Sequence, residues 1–194
     1  MQFIKNDFTV EDTIKKSRFI GILSPCNTEL DVARILKNLQ LKYPDASHIA
    51  YAYRIKTDNG FISRFYDAGE PSGTAGKPIF HHLEGKELIN VLLAVVRYFG
   101  GIKLGAGGLT RAYGNTAKKV IDSSELLPYV ERVIRRLTLD YNQMQPFEYV
   151  LKKLDGNILS QDFSVQIQVL LELPKSNLNA LSEAYKGLDQ DITS

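Results

Sequence analysis

The 194-residue sequence contains no tryptophan, one cysteine and three histidines. Because Cys26 is alone, no intramolecular disulfide is possible, which fits a reducing compartment. Residues 1–10 carry charged and polar side chains instead of the apolar core of a secretory signal. The longest strongly apolar run, residues 91–96, is far shorter than the roughly 20 residues of a membrane-spanning helix. Together these absences predict a cytoplasmic protein without a membrane partner.

Histidine and cysteine are also too sparse for a metal site. His81 and His82 are adjacent and would diverge by about 100° on a helix, so they cannot face one ion. His48 falls in a predicted strand and is interpreted as structural, and Cys26 lies far from His81 in the sequence. The sequence therefore predicts neither a metal nor another cofactor.

Net charge is small, because 24 basic and 22 acidic residues leave +2, and this balance selects no partner. The distribution is uneven, since residues 88–121 contain no Asp or Glu. Unneutralised cations beside aromatic residues are typical of a nucleic-acid-binding surface. The alternative is a solvated helix face whose cations pair with acids from elsewhere in the fold. The cations concerned are Arg97, Lys103, Arg111, Lys118 and Lys119.

Two glycine-rich segments are the most unusual stretches, and the first is DAGEPSGTAGKP, residues 67–78. It is not a nucleotide-binding P-loop, because Pro71 occupies the first glycine position and Pro78 replaces the magnesium-binding hydroxyl. Two interpretations stay open: a looser anion cradle that includes Lys77, or a rigid turn before a helix that starts near Pro78. The residues predicted to shape this loop are Gly69, Pro71, Ser72, Gly73, Thr74 and Gly76.

Asp67 and Glu70 are the carboxylates of this first segment and the candidates for catalytic residues. As an acid–base pair they would support catalysis. The commoner role of such a carboxylate is to accept N–H bonds that hold a glycine loop in shape. The sequence leaves both roles open.

The second segment, RYFGGIKLGAGGL, covers residues 97–109, between a predicted buried strand and a predicted helix. That context suits a phosphate or carboxylate at the helix N-terminus. The segment is not GxGxxG, and the alternative is that its glycines only permit left-handed backbone and close packing. The glycines concerned are Gly100, Gly101, Gly105, Gly107 and Gly108.

Periodicity predicts an α+β fold of two domains. The first domain begins with a hairpin and an amphipathic helix capped by Thr28, and it ends with a helix through Ile121. The second follows the order β-α-β-β-α-β, a ferredoxin-like unit whose last strand would be residues 188–192. The predicted boundaries are residues 1–124 for the first domain, 125–130 for a linker and 131–194 for the second domain.

Four segments resemble the IMPACT/YigZ family in the family's order and spacing. The resemblance is strong over residues 12–121, and residues 131–192 resemble the accessory C-terminal domain of bacterial members. The chain is thus identified as a member of the bacterial two-domain type. The four segments are KKSRFI (15–20), YPDASH (43–48), DAGEPSGTAGKP (67–78) and VVRYFGGIKLGAGGLTRAYG (95–114).

The resemblance implies a first domain similar to the second domain of a small-subunit ribosomal protein. It implies a second, ferredoxin-like domain similar to a domain of elongation factor G. Eukaryotic relatives look like translation regulators that use an additional N-terminal domain, so their partnership is not expected here. The family motif usually has a second Asp where this chain has Ala68, which would compromise any chemistry that needs paired carboxylates.

The first hypothesis is a regulatory protein that binds RNA or the ribosome in translation control, with a translation-related protein as a further partner. Its binding residues would be Lys77 and the five cations of residues 97–119. The alternatives are a protein-interaction module without a ligand and an enzyme acting on a phosphorylated small molecule or nucleotide. The sequence favours binding over catalysis and sets no oligomeric state.

Overall fold

In the computed structural model, which describes residues 1–185, the apolar run 91–96 lies in the central strand of a five-stranded sheet. The chain divides into two compact units, Met1–Tyr129 and a second unit that begins at Val130. The strands of the first unit are β1 (Gln2–Phe3), β2 (Phe8–Ile14), β3 (Ser17–Pro25), β4 (His48–Thr57), β5 (Gly60–Tyr66), β6 (Val91–Tyr98) and β7 (Leu127–Pro128).

The five longer strands form an antiparallel sheet in the order β2-β3-β6-β4-β5. All residues of β6 from Val91 to Arg97 are buried, because helices cover both faces of the sheet at its centre. A strand covered on both faces has no polar alternation, and this explains the continuous apolar run in the sequence. The predicted buried strand is confirmed.

The short strands β1 and β7 form a separate antiparallel pair, with Gln2 opposite Pro128 and Phe3 opposite Leu127. Strand β7 falls inside residues 125–130, the segment predicted as a linker. These residues are therefore held to the start of the chain by backbone hydrogen bonds.

Three helices pack on the first sheet: α1 (Glu29–Lys42), α2 (Gly76–Gly85) and α3 (Ala106–Asp122). The Thr28 side chain caps α1 by accepting from the Asp31 N–H, and Asp31 reciprocates, so the predicted cap is confirmed as a capping box. Helices α2 and α3 cover the face that includes Phe19, Leu93 and Val95, and α1 covers the opposite face. Each fully buried large aliphatic side chain in these layers stabilises the fold by about 1.5–3 kcal/mol.

Helices α2 and α3 run in the same direction. Gly114 packs against Pro78 and His82, and Lys86 lies 4.0 Å from Asp122 further along both helices. Both helices therefore begin at the same end of the sheet.

That end is where the four family-like segments meet. Arg18 pairs with Tyr98, and His48 pairs with Arg97, so the start of β3, the start of β4 and the end of β6 lie side by side. We call this end of the sheet the loop end, and define it by the connections 15–16, 43–47, 67–75 and 99–105.

The second unit has a three-stranded antiparallel sheet in the order β8-β10-β9. Its core contains Leu137, Phe147, Val169 and Leu181. The described order β-α-β-β-α is that of the predicted ferredoxin-like unit, and the two-domain α+β class is confirmed. The predicted last strand, 188–192, lies outside the described residues. The elements are β8 (Arg132–Leu139), α4 (Met144–Lys153), β9 (Asn157–Phe163), β10 (Ile167–Pro174) and α5 (Leu178–Ala184), with single 3-10 turns at Tyr141–Gln143 and Lys175–Asn177.

No helix between residues 1 and 185 combines the length and the apolar character that crossing a bilayer requires.

Candidate functional site

A buried ion pair joins the two glycine-rich segments at the loop end. The Glu70 Oε1 accepts hydrogen bonds from Arg97 Nη1 at 2.6 Å and from the Tyr113 hydroxyl at 2.8 Å. The Glu70 and Arg97 side chains are only 4% and 5% exposed. His48 Nε2 lies 3.7 Å from the same carboxylate oxygen. One carboxylate thus connects the first glycine loop, β6, α3 and the start of β4.

Arg97 is enclosed on its other sides as well. Its Nη2 donates to Ser17 Oγ at 3.4 Å, and its guanidinium carbon lies 5.5 Å from the ring centroids of Phe19 and Phe99. The Arg97 Nε has no hydrogen-bond partner in the described part of the chain, residues 1–185. The sequence predicts Arg97 on a phosphate-binding surface, but the structure buries this guanidinium against Glu70. It is therefore not accessible to an external phosphate.

Glu70 is equally committed to internal contacts. Burial, together with the neighbouring Glu70 charge, raises the pKa of the Tyr113 hydroxyl, so Tyr113 remains a neutral donor to the carboxylate. Since Arg97 and Tyr113 both donate to one Glu70 oxygen, the contacts of this residue are those of a structural anion. They support the structural role for Glu70 over the acid–base role.

Asp67 holds the first glycine loop in shape. Its carboxylate accepts from the backbone N–H groups of Gly73 at 2.8 Å, Ala75 at 3.0 Å and Gly76 at 2.8 Å. Partial burial opposes ionisation, but these three bonds outweigh it and keep the pKa of Asp67 below its ordinary value. Because Gly76 is the first residue of α2, Asp67 also supplies negative charge at the positive end of that helix.

Replacement of Asp67 by asparagine is expected to cost about 2 kcal/mol of folding free energy at pH 7, because an amide is a weaker acceptor for the three N–H groups. A lowered pKa in the folded state gives stability that is complete above the ordinary value of 3.8 and is lost as the pH falls below it. The difference in free energy of unfolding between wild type and Asp67→Asn should therefore become smaller in acid. Urea unfolding at pH 7 and at steps below pH 4 measures it. Asp58→Asn, in the exposed β4–β5 turn, is the control. If the difference in free energy of unfolding between wild type and Asp67→Asn stays constant with pH, the negative charge of Asp67 is not what stabilises the loop.

No side chain between residues 1 and 185 supplies such an anion at the N-terminus of α3. Its N-cap is Gly105, with φ at 71°, no side chain caps the helix, and its first turn contains no acidic residue. Ala106 and Gly107 are exposed. The first N–H groups of a helix lack partners within it, so this end offers unoccupied donors and positive potential.

The five cations of residues 97–119 separate into two groups. Lys118 pairs with Asp122, Lys119 pairs with Asp12 at 3.2 Å, and Arg97 pairs with Glu70. The solvated-face alternative therefore describes Lys118 and Lys119. Lys103 and Arg111 are exposed, as is Lys77 at the start of α2, and none of these three has an ion-pair partner within residues 1–185.

Two further cations at the loop end were not selected from the sequence. Lys15 and Lys16 form the two-residue β2–β3 turn with φ of 46° and 67°, and both are exposed. Left-handed backbone costs about 1–2 kcal/mol at a residue other than glycine, and such turns favour Asn-Gly. A pair of lysines in a tight hairpin turn was the signal that could have identified them.

The β2–β3 turn that contains Lys15 and Lys16 lies next to the α3 N-terminus. Lys15 and Arg111 both line a cavity of about 260 Å³, together with Gly108 and Asn115. Gly100 is packed so closely on the Lys16 carbonyl that a Cβ at this position would lie 1.9 Å from its oxygen. The lysine turn, the second glycine loop and the first turns of α3 thus form one surface.

Metal and thiol chemistry find little support in this site. Residues 1–185 contain no group of three or more His, Cys, Asp or Glu side chains arranged to hold a metal ion. Cys26 is buried away from the loop end, and burial raises the pKa of its thiol to about 12. A neutral thiol of this kind is a poor nucleophile.

The chain is similar to known proteins in both of its parts. A family profile described as the Impact N-terminal domain matches residues 15–121, and one described as a domain of unknown function (DUF1949) matches residues 137–184. An IMPACT family member of Haemophilus influenzae is 36% identical over 92% of this chain and 87% of its own length. The IMPACT family member YvyE of Bacillus subtilis is 36% identical over 89% and 79%, respectively. A crystal structure of a hypothetical protein superposes with a TM-score of 0.69 at 29% identity, covering 100% of this chain and 97% of that one.

Proposed function

Because this chain belongs to the IMPACT family, we propose that it is a regulatory protein of translation that acts by binding RNA, free or within the ribosome. A role in translation is proposed because the sequence resembles a family whose eukaryotic relatives look like translation regulators. The observation that carries RNA binding is the group of unpaired cations around the open N-terminus of α3. The carboxylates of Asp67 and Glu70 accept hydrogen bonds from other residues of the chain, which favours binding over acid–base catalysis.

The electrostatics of the loop end support this proposal. Lys15, Lys16, Lys103 and Arg111 are exposed and have no ion-pair partner within residues 1–185. In the four connections that define the loop end, Asp45 is the carboxylate left exposed, because Asp67 and Glu70 are bound internally. Positive side chains beside free N–H groups attract phosphates, and several of them together suit a polymer with a phosphate at each nucleotide.

An exposed aromatic ring adds to this surface. Phe99 is 48% exposed at the start of the second glycine loop, and Ser47 Oγ accepts from its N–H at 3.0 Å. Aromatic rings among cations are typical of surfaces on which unpaired bases stack. Cations and ring together favour an RNA ligand over a small anion such as inorganic phosphate.

Replacement of both Lys15 and Arg111 by glutamine tests the site directly. Each phosphate contact on single-stranded RNA contributes about 0.7 to the slope of log K against log salt, so the double variant should flatten that slope by about 1.4. Binding of a labelled single-stranded RNA is measured by fluorescence anisotropy over a salt series.

The matched control is Lys118→Gln/Lys119→Gln, which removes the same number of positive charges. Both lysines already pair with carboxylates, so the salt slope should stay at the wild-type value. Equal losses in the two double variants would indicate that only net charge matters and would remove the α3 N-terminus as the site. No binding by wild type at low salt would remove RNA binding itself.

A further inference from the structure

A second cavity opens at the loop end on the α1 side of the sheet. Its volume is about 320 Å³, near the lower limit of ligand pockets in proteins. It lies between α1, the start of β4 and the end of β5. Residues that shape it include Leu36, Gln40, Ser47, His48, Tyr51 and Tyr66.

The wall of this cavity is aromatic. The rings of Tyr51 and Tyr66 lie 5.6 Å apart at an angle of 45°, and Tyr66 is 55% exposed although it is a large ring. Tyr51 is partly buried, and burial raises the pKa of its hydroxyl, so this ring is uncharged at neutral pH. A neutral aromatic wall favours a flat, uncharged ring as ligand.

Polar side chains complete the cavity. Among residues 1–185, no Asp, Glu, Lys or Arg lines it, and the polar side chains besides the tyrosines are those of Gln40, Ser47 and His48. His48 Nδ1 lies 2.8 Å from the Ala68 carbonyl oxygen, so this nitrogen carries a proton and the ring is fixed in orientation. Both ring nitrogens of His48 are directed at other residues, since Nε2 lies 3.7 Å from Glu70 Oε1. The amide of Gln40 and the hydroxyl of Ser47, beside a flat aromatic wall, match the hydrogen-bonding edge of a nucleobase.

An exposed cation, Lys77, follows a residue that packs on Tyr66. Gly76 packs directly on this residue, since a Cβ on Gly76 would lie 2.6 Å from the Tyr66 backbone nitrogen. Lys77 follows immediately, is exposed, and has no ion-pair partner within residues 1–185. Lys77 thus follows directly after a residue that packs on the backbone of Tyr66.

We propose that this cavity binds one unpaired nucleobase, with Tyr66 as the stacking surface and Lys77 at the adjoining phosphate. The inference rests on the proposed function and deepens it, because it selects single-stranded over duplex RNA. A paired and stacked base cannot enter a side pocket, whereas an unpaired base is free to do so. A free nucleotide presents the same chemistry and is the second source of such a base.

The test compares Tyr66→Ala with Phe61→Ala. Both residues lie on β5, and Phe61 is 46% exposed at the opposite end of the sheet with the Arg54 guanidinium 4.2 Å from its ring. Probes are oligoadenylate, oligouridylate and the duplex of the two, all of equal length and at the same salt. Loss of one stacking contact should weaken single-strand binding by about 5- to 150-fold in Tyr66→Ala, with duplex binding unchanged. Phe61→Ala should match wild type, and Lys77→Gln should weaken single-strand binding without a change in thermal stability.

The outcomes separate this inference from the proposed function. Wild-type single-strand affinity in Tyr66→Ala, together with a loss in Lys15→Gln/Arg111→Gln, overturns the base pocket and leaves RNA binding intact. Binding of adenosine monophosphate by wild type and not by Tyr66→Ala, without any RNA binding, supports the base pocket and overturns the RNA proposal. Absence of both kinds of binding overturns both.

Discussion

Glu70→Gln is expected to lower the free energy of unfolding by about 3–5 kcal/mol, because it leaves the buried Arg97 charge without a counter-ion. Glutamine keeps the size of the side chain and an oxygen that accepts from Tyr113, so the loss reports charge and not packing. The neighbours cannot compensate, since Ser17 is the other donor-acceptor group at hydrogen-bond distance from the guanidinium. Urea unfolding at pH 7, followed by circular dichroism, measures the change.

A matched control exists in the same domain. Glu11 pairs with Arg18 at 2.6 Å, the same distance as Glu70 and Arg97, but both partners are about half exposed. Glu11→Gln should therefore change stability little, because water replaces the lost interaction. The double variant Glu70→Gln/Arg97→Met should be more stable than Glu70→Gln alone, since it removes the orphaned charge. Equal costs for Glu70→Gln and Glu11→Gln would contradict the assignment of a buried pair.

Gly100→Ala is expected to destabilise the first unit by about 3 kcal/mol, at the upper end of the usual cost of overpacking. The added Cβ would lie 1.9 Å from the Lys16 carbonyl oxygen and 2.5 Å from the Ser17 nitrogen. Both are backbone atoms of the β2–β3 hairpin, so no side-chain rotation relieves the clash. The hairpin turn must move instead. If Lys15 binds RNA as proposed, RNA affinity should fall together with stability, because Lys15 lies in that turn.

Gly107→Ala is the control for Gly100→Ala. Gly107 lies in the first turn of α3, and a Cβ there would meet no atom within 4 Å. Alanine is a better helix former than glycine, so stability should stay equal or rise by up to about 1 kcal/mol. Thermal and urea unfolding of both variants measure the contrast. A Gly100→Ala protein as stable as Gly107→Ala would show that the second glycine loop does not pack on the hairpin.

Local signals in the sequence predicted the elements that dominate the first unit. The uninterrupted apolar run of β6, the three-turn periodicity of α3 and the Thr28 cap each arise within one segment, so no knowledge of the fold was needed. Strand β9 had no comparable signal, because it is an edge strand and almost every residue of it is exposed. The pair β1–β7 could not be predicted for another reason. Each strand has only two residues, too few for a hydrophobic period, and the two strands lie far apart in the sequence.

The candidate site was predicted as two motifs but not as one arrangement. The sequence places Glu70 and Arg97 in different segments, and only the fold brings their side chains to 2.6 Å. The acid-free stretch suggested that Arg97, Lys118 and Lys119 were exposed and unpaired. In the fold their counter-ions come from the first glycine loop, from α3 itself and from β2, which a linear count of charges does not register.

Helices α2 and α3 begin at the same end of the sheet, and within residues 1–185 a carboxylate accepts from the first N–H groups of α2 but not of α3. Asp67 is in this sense a built-in mimic of the phosphate that α3 would receive from outside. Its three N–H contacts show the geometry in which this backbone holds an anion. Under the proposed function, these contacts are a template for docking a phosphate onto the first N–H groups of α3.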